Sequence, residues 1–287
     1  MIKEPQSSPE QRWTISVNAE GKSVNWSIRE LLNYRYLLFM LVKKDLSYSF
    51  KQTVLGPIWI ILNPIISTLI FALVFSFFAK VNTDNVPAIL FYLTGGILYN
   101  YFANAFVSVS NALNSNKNIL GKVYIPRIIL PLASGVTPLV KFLLVFIVST
   151  PVFIYYVGIG KANPSLWIYA IPFLLFLVFF ISLGLGLIFS ALMVRRRDLG
   201  VLLPFLTSIF TFVTPVFYPI SLVPPYLQKI YLINPLAGIV ECFRYSITGA
   251  GSFEPYMLVS SVVVTVVLFC TGLALFRKIN DKIPDLI

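Results

Sequence analysis

The sequence predicts an all-α protein built inside a lipid bilayer, and three observations carry that reading. Hydrophobic residues make up 57% of the 287 and charged residues only 11%, too little polar surface to clothe a water-soluble globule of this size. Several stretches reach, without a cluster of charges, the roughly 20 apolar residues that a helix needs to cross a hydrocarbon core about 30 Å thick. The basic residues behind the net charge of +11 sit in short runs beside those stretches. That is a topology pattern, not the basic face with interleaved aromatics that nucleic acid requires.

Residues 1–26 are polar, contain Pro5 and Pro9 and lack the basic-then-apolar order of a cleavable signal, so they read as a retained cytoplasmic tail. Ser27 and Glu30 then form a capping box, and Ile28, Leu31 and Leu32 share one face. Segment 27–45 is therefore an amphipathic interfacial helix. Its continuation through Leu37, Leu38, Phe39 and Leu41 is apolar all round, which leaves a short buried element as the alternative. Lys43 and Lys44 are expected to end it.

Six transmembrane helices follow in a domain spanning 52–287, at about 53–78, 88–110, 128–157, 167–194, 201–217 and 256–276. Pro131, Pro138 and Pro151 bend or segment the third, which is tolerable where neighbouring helices satisfy the freed backbone groups. Six crossings place Lys43, Lys44, Lys51, Lys117, Lys122, Arg127, the run Arg195 to Arg197, Arg277, Lys278 and Lys282 on one side. Lys80, Lys161, Lys229 and Arg244 fall on the other. Excess positive charge stays in the cytoplasm, so both termini are expected there.

Segment 219–251, between spans five and six, is too apolar for an exposed loop and is broken by Pro219, Pro224, Pro225, Pro235, Gly249 and Gly251. Two short re-entrant helices, about 225–232 and 235–248, would satisfy its backbone. The alternative, one further full crossing, would bury Glu241 and Arg244 in lipid at appreciable cost.

The chemistry of catalysis is sparse. Gly21, Lys22 and Ser23 end a would-be phosphate loop that has Ser16 where its first glycine belongs, so this chain is not expected to bind ATP. The chain has no His, and its eleven acidic residues form no paired constellation. Cys242 and Cys270 lack metal-ligand spacing and read as packing residues. Lys141 stands alone inside the third span, either coupling an ion or substrate or simply snorkelling toward the cytoplasmic face. Aromatic residues make up 15% of the chain. Tyr99, Phe102 and Phe106 recur at helical spacing in span two, facing lipid or lining a conduit on which sugar rings slide.

The stretch Lys51-Gln-Thr-Val-Leu-Gly-Pro-Ile-Trp59 resembles the signature of type-two ABC exporter permeases. So do Asn118 to Pro131, Arg197 to Pro204, Pro215-Val-Phe-Tyr-Pro219 and Asn234 to Arg244, which together with the interfacial helix cover the chain from about residue 27 onward. Trp13-Thr-Ile-Ser, with Leu31 to Asp45 around Tyr-Arg-Tyr-Leu-Leu-Phe, is similar to the permeases of lipopolysaccharide O-antigen export. Cys242, where relatives carry a small residue, and Lys141, where they often carry a neutral or acidic one, depart from the pattern.

The resemblance implies a homodimer in the bacterial inner membrane, joined to two copies of a separate ATPase that binds ATP and Mg. It would move lipid-linked O-antigen polysaccharide from cytoplasm to periplasm and be no enzyme itself. Export of teichoic acid or capsular polysaccharide, or of small lipids or drugs, is the alternative. Trp59, Tyr99, Phe102 and Phe106 would line the conduit, and Phe217, Tyr218, Glu241 and Arg244 would form an outward gate. Loop 111–127, with Lys117, Lys122, Tyr124 and Arg127, would dock on the ATPase, unless its cations only obey the inside charge bias. Arg29, Arg35, Lys43 and Lys44 would meet the phosphates of the lipid carrier or only anchor the helix among membrane lipids. Nucleic acid is not an expected partner.

Overall fold

The computed structural model describes residues 32–51, 58–120, 125–196, 198–224, 226, 228, 231, 233–251 and 253–280. Among them the chain is helical, with no strand. Helix α1 is Arg35–Lys51, and α2 is Ile58–Phe71 continued by π-helical turns through Ala72–Phe78. Helix α3 is Ala88–Ser115, α4 the single turn Lys117–Leu120 and α5 Ile129–Gly158. A 3₁₀ turn at Leu166–Ala170 leads into α6, Ile171–Arg195, and α7 is Leu199–Val213. A second 3₁₀ turn, Ile220–Leu222, precedes α8, Pro235–Thr248, and α9 is Pro255–Asn280.

Helix α3 is the axis of the bundle, packed on α2, α5, α6, α7 and α8, while α6 lies between α3 and α9. The α6–α9 contact is backbone against backbone. A Cβ placed on Gly184 would lie 2.8 Å from the Leu268 carbonyl, and one on Gly272 would strike Gly184. Small residues permit such an approach, which lets dispersion contacts hold helices together where lipid removes the hydrophobic drive.

Among the described residues, four helical stretches are long and apolar enough to cross a membrane: Ile58–Phe78, Ile129–Gly158, Leu166–Val194 and Pro255–Ile279. These coincide with the first, third, fourth and sixth expected spans. The expected second span is the 28-residue α3, whose Asn and Ser residues lower its hydropathy, and the fifth is the 15-residue α7. Prolines sit inside α2, α5 and α7. Side-chain hydroxyls bond helix carbonyls near them, as Thr68 does to Pro64 and Thr137 to Ala133.

Three boundaries differ from expectation. Lys43 and Lys44 do not end α1, which runs on to Lys51, because lysine is a good helix former and stops nothing by itself. Helix α3 passes Ser110 and takes in the first residues of loop 111–127. The fifth expected span stops at Val213 instead of 217, and Thr214 to Phe217 form a buried turn. A helix stands where 235–248 was expected: α8, with Asn234 as its cap, Pro235 at its first turn and Gly249 in the left-handed region at φ 68°. The other, at 225–232, lies mostly outside the described residues, as does most of the capping region around Ser27.

Leu41 and Val42 of α1 cluster with the end of α3, the start of α5 and the ends of α6 and α9. That clustering gathers Lys43, Lys44, Lys117, Arg127, Arg196, Arg277 and Lys278 at one end of the bundle. At the other end α8 holds the α5–α6 connection through Asn163 N–H to Thr248 O at 2.9 Å and Ser165 N–H to Ser246 O at 3.1 Å.

Candidate substrate groove and gate

Two stripes run along α3 on nearly opposite faces. Tyr99, Phe102 and Phe106 form one and are buried within the chain. Tyr99 donates its hydroxyl hydrogen to Thr207 O, the Phe102 and Phe106 rings lie parallel at 6.0 Å, and Phe210 meets both edge-on. Their partners are thus α6 and α7. Trp59 stands apart from them, 48% exposed near the start of α2, so the structure does not bring the four expected conduit residues together.

The second stripe is polar: Asn100, Asn104, Ser108, Asn111 and Ser115, at steps of four, four, three and four residues. At about 100° per residue it centres roughly 160° from the aromatic stripe. It forms the floor of a groove walled by α2, α5 and α1. One part, about 250 Å³, is lined by Trp59, Asn63, Asn100, Asn104 and Lys141 among others. The adjoining part, about 650 Å³, is lined by Lys44, Ser49, Asn111, Ser134, Thr137 and again Lys141. Pro64 and Pro138 also line it, and each removes the intrahelical donor of the carbonyl four residues earlier, Ile60 and Ser134. Such a surface exchanges many modest hydrogen bonds with hydroxyl-rich ligands.

Charge enters this groove sparingly. Lys141 Nζ donates to Ser49 Oγ at 2.9 Å, and Lys44 Nζ donates to Asn116 Oδ1 at 2.8 Å while standing 3.7 Å from Asp45. Of the other carrier-contact candidates, Arg35 and Lys43 are exposed on α1 and Arg29 lies outside the described residues. Of the coupling candidates, Lys117 opens α4 and Arg127 precedes α5, both partly exposed at the basic end, whereas Lys122 and Tyr124 lie outside the described residues.

The expected gate residues are brought together at the opposite end. Arg244 Nη1 donates to Glu241 Oε1 at 2.8 Å one turn back on α8, and Nη2 donates to Pro215 O at 2.9 Å. Both side chains are buried, and the guanidinium lies 3.7 Å over the Phe91 ring. The Ile220 N–H donates to Glu241. Phe217, in the turn that Arg244 holds, stacks on Phe75 at 5.0 Å and 8°. Tyr218 shares a hydrogen bond with the Tyr231 hydroxyl, and its own hydroxyl contacts Phe212 O at 2.6 Å. Burial, and then the Tyr231 hydroxyl, hold the Tyr218 phenol above its ordinary range. The sequence reading missed Asp84, whose carboxylate accepts from Ser221 Oγ at 2.8 Å and ties the α2–α3 loop to this cap.

A helical bundle with membrane-length spans, a polar groove along one flank and basic residues massed at one end defines a polytopic integral membrane protein of the transporting kind. Residues 36–248 match the membrane domain of the ABC-2 type transporters, and the chain belongs to that family. It is 26% identical over 268 residues to the O-antigen export system permease protein RfbA of Klebsiella pneumoniae, an alignment covering 91% of this chain and 100% of that one. The protein of the same name from Myxococcus xanthus is also 26% identical, over 90% of this chain and 98% of its own. The capsule polysaccharide export inner-membrane protein CtrC of Neisseria meningitidis is 21% identical over 87% and 93%.

Proposed function

We propose that this chain is the membrane subunit of a bacterial inner-membrane exporter that moves a lipid-linked O-antigen polysaccharide out of the cytoplasm. The observation that carries the reading is the groove: a continuous polar register on α3, with one lysine between its two parts, along the flank of a largely apolar bundle. A polymer of sugars needs weak, repeated hydrogen bonds along its path, because one deep site would stall it. The O-antigen permeases named above, matched over nearly the whole chain, support the same substrate class.

In this reading α3 and α7 also cross the bilayer, giving six spans, and α8, about 21 Å long at 1.5 Å per residue, enters one leaflet without crossing it. The end bearing Lys43, Lys117 and Arg277 faces the cytoplasm with both termini. Two copies of the chain sit beside two copies of a separate ATPase, which supply nucleotide chemistry and grip the region of α4. Glu241, Arg244, Phe217 and Tyr218 brace the outward cap, with the buried ion pair as its structural lock.

The test is deletion of the chain in its own host. Loss of long-chain lipopolysaccharide, with polymer trapped inside, is expected, and re-expression restores the surface polymer. Capsule loss with intact lipopolysaccharide would establish the second reading, favoured by the similarity to CtrC. No change in either polymer would overturn both.

A further inference from the structure

The wider part of the groove holds more than a sugar path requires. Lys141 emerges from the third expected span, half-buried, and Ser49 accepts from only one of the three donors that an ammonium carries. Lys44 and Asp45 reach the same cavity from α1, so two lysines face one aspartate and the cavity is net positive. Its walls are otherwise neutral and, apart from Val107, polar, among them Asn111, Ser134 and Thr137. Keeping an ammonium at this depth is costly unless a partner of opposite charge visits it. A space of about 650 Å³ with hydroxyl, amide and ammonium donors around it suits an anion of several oxygens.

We infer that this cavity is a binding site for the phosphate headgroup of a membrane lipid, with Lys141 and Lys44 as its charge partners and Asn111 and Ser134 as neutral donors. The inference rests on the exporter reading and deepens it, because it locates where the phosphate-bearing end of a lipid-linked polymer is held. The site lies where α1 packs on α5, at the basic end of the groove. The headgroup is therefore recognised beside the start of the polar path, and the attached sugars reach Asn104 and Asn100 without leaving it.

The experiment is equilibrium binding of radiolabelled farnesyl diphosphate to the full chain in phosphatidylcholine nanodiscs. Saturable binding is expected, weakened about tenfold or more in Lys141→Gln, as loss of a charged hydrogen bond implies. Lys141→Arg retains most of it, and Lys80→Gln, at the far end, leaves it unchanged. Asn111→Asp, nearly isosteric and in place even if Lys141→Gln folds poorly, weakens binding by adding a negative charge to the wall. Nanodiscs carrying excess phosphatidylglycerol separate the two sources of phosphate. Lys141-dependent displacement assigns the site to bulk phospholipid, and undiminished binding assigns it to the carrier diphosphate. Wild-type affinity in both Lys141→Gln and Asn111→Asp, or no saturable binding at all, overturns the site. Binding is read without transport, so its failure leaves the polysaccharide assignment to be judged by the deletion phenotype alone.

Discussion

Arg244 and Glu241 stand one turn apart on α8 and join at 2.8 Å with neither side chain reaching the surface. The pair does not meet the guanidinium's requirements alone: Pro215 O accepts from Nη2 and the Phe91 face lies against it, while Nε is buried without an acceptor. Removing one partner strands the other in an apolar interior, a loss of about 3–5 kcal/mol by the behaviour of buried ion pairs. Arg244→Met and Glu241→Leu are each expected to lower the thermal midpoint in detergent markedly. The double variant Glu241→Leu with Arg244→Met should recover part of the loss. Additive losses in that cycle would show that the two residues act separately.

Neighbouring glycines on α3 make a paired test of the same cap. A Cβ on Gly95 would stand 3.0 Å from Arg244 Nη2 and 3.2 Å from Val216 O, whereas one on Gly96 meets nothing within 4 Å. Both residues are helical, so alanine brings a propensity gain of up to about 1 kcal/mol at either position. Gly96→Ala is expected to raise the melting temperature slightly. Gly95→Ala should lower it, because neither a backbone carbonyl nor a fully buried guanidinium yields cheaply.

The polar register of α3 predicts separable effects on export and stability. Asn104→Leu and Asn100→Leu remove hydrogen-bonding groups from the groove floor without emptying any packed space. Surface polymer should fall severalfold while the protein remains monodisperse with an unchanged midpoint. Phe106→Ala, by contrast, empties a site in full contact with Phe189 and Phe210 and should cost about 3–5 kcal/mol of stability. Export loss in Phe106→Ala at wild-type stability would reverse the assignment of the two faces.

How far these features were legible in the sequence depends on the kind of signal each one leaves. The long apolar helices follow from composition, and α8 follows from Asn234, Pro235 and Gly249, three residues whose local geometry fixes its ends. The face of α3 that lines the groove did not, although Asn100, Asn104, Ser108, Asn111 and Ser115 recur at helical spacing. Polar and aromatic groups recur on α3 with the same helical spacing, so spacing alone does not say which face meets a neighbouring helix and which lines a groove. Tyr99, Phe102 and Phe106 show why: an aromatic ring fits a helix interface and a sugar path equally well, and it takes the folded chain to show that α7 packs on this face. The partner of Lys141 was illegible for a different reason, since Ser49 lies 92 residues away on α1.

Lys117 provides the test of coupling to an ATPase. It opens the one-turn α4 immediately after Asn116, and the Lys44 ammonium donates to the Asn116 amide at 2.8 Å. A force applied to α4 is thereby delivered to the end of α3, the helix that carries the groove, and to α1, which packs on α5 beside Lys141. If a soluble partner grips this turn through acidic groups, Lys117→Glu replaces an attraction with a repulsion, and at an exposed rim such a change acts mainly on association. Co-purification of the ATPase should fall severalfold at low salt, with a smaller difference from wild type at high salt as screening removes the charge term. Groove binding of farnesyl diphosphate should stay intact. Equal recovery of the ATPase at every salt concentration would mean that Lys117 serves membrane topology alone and that the docking surface lies elsewhere on the basic end.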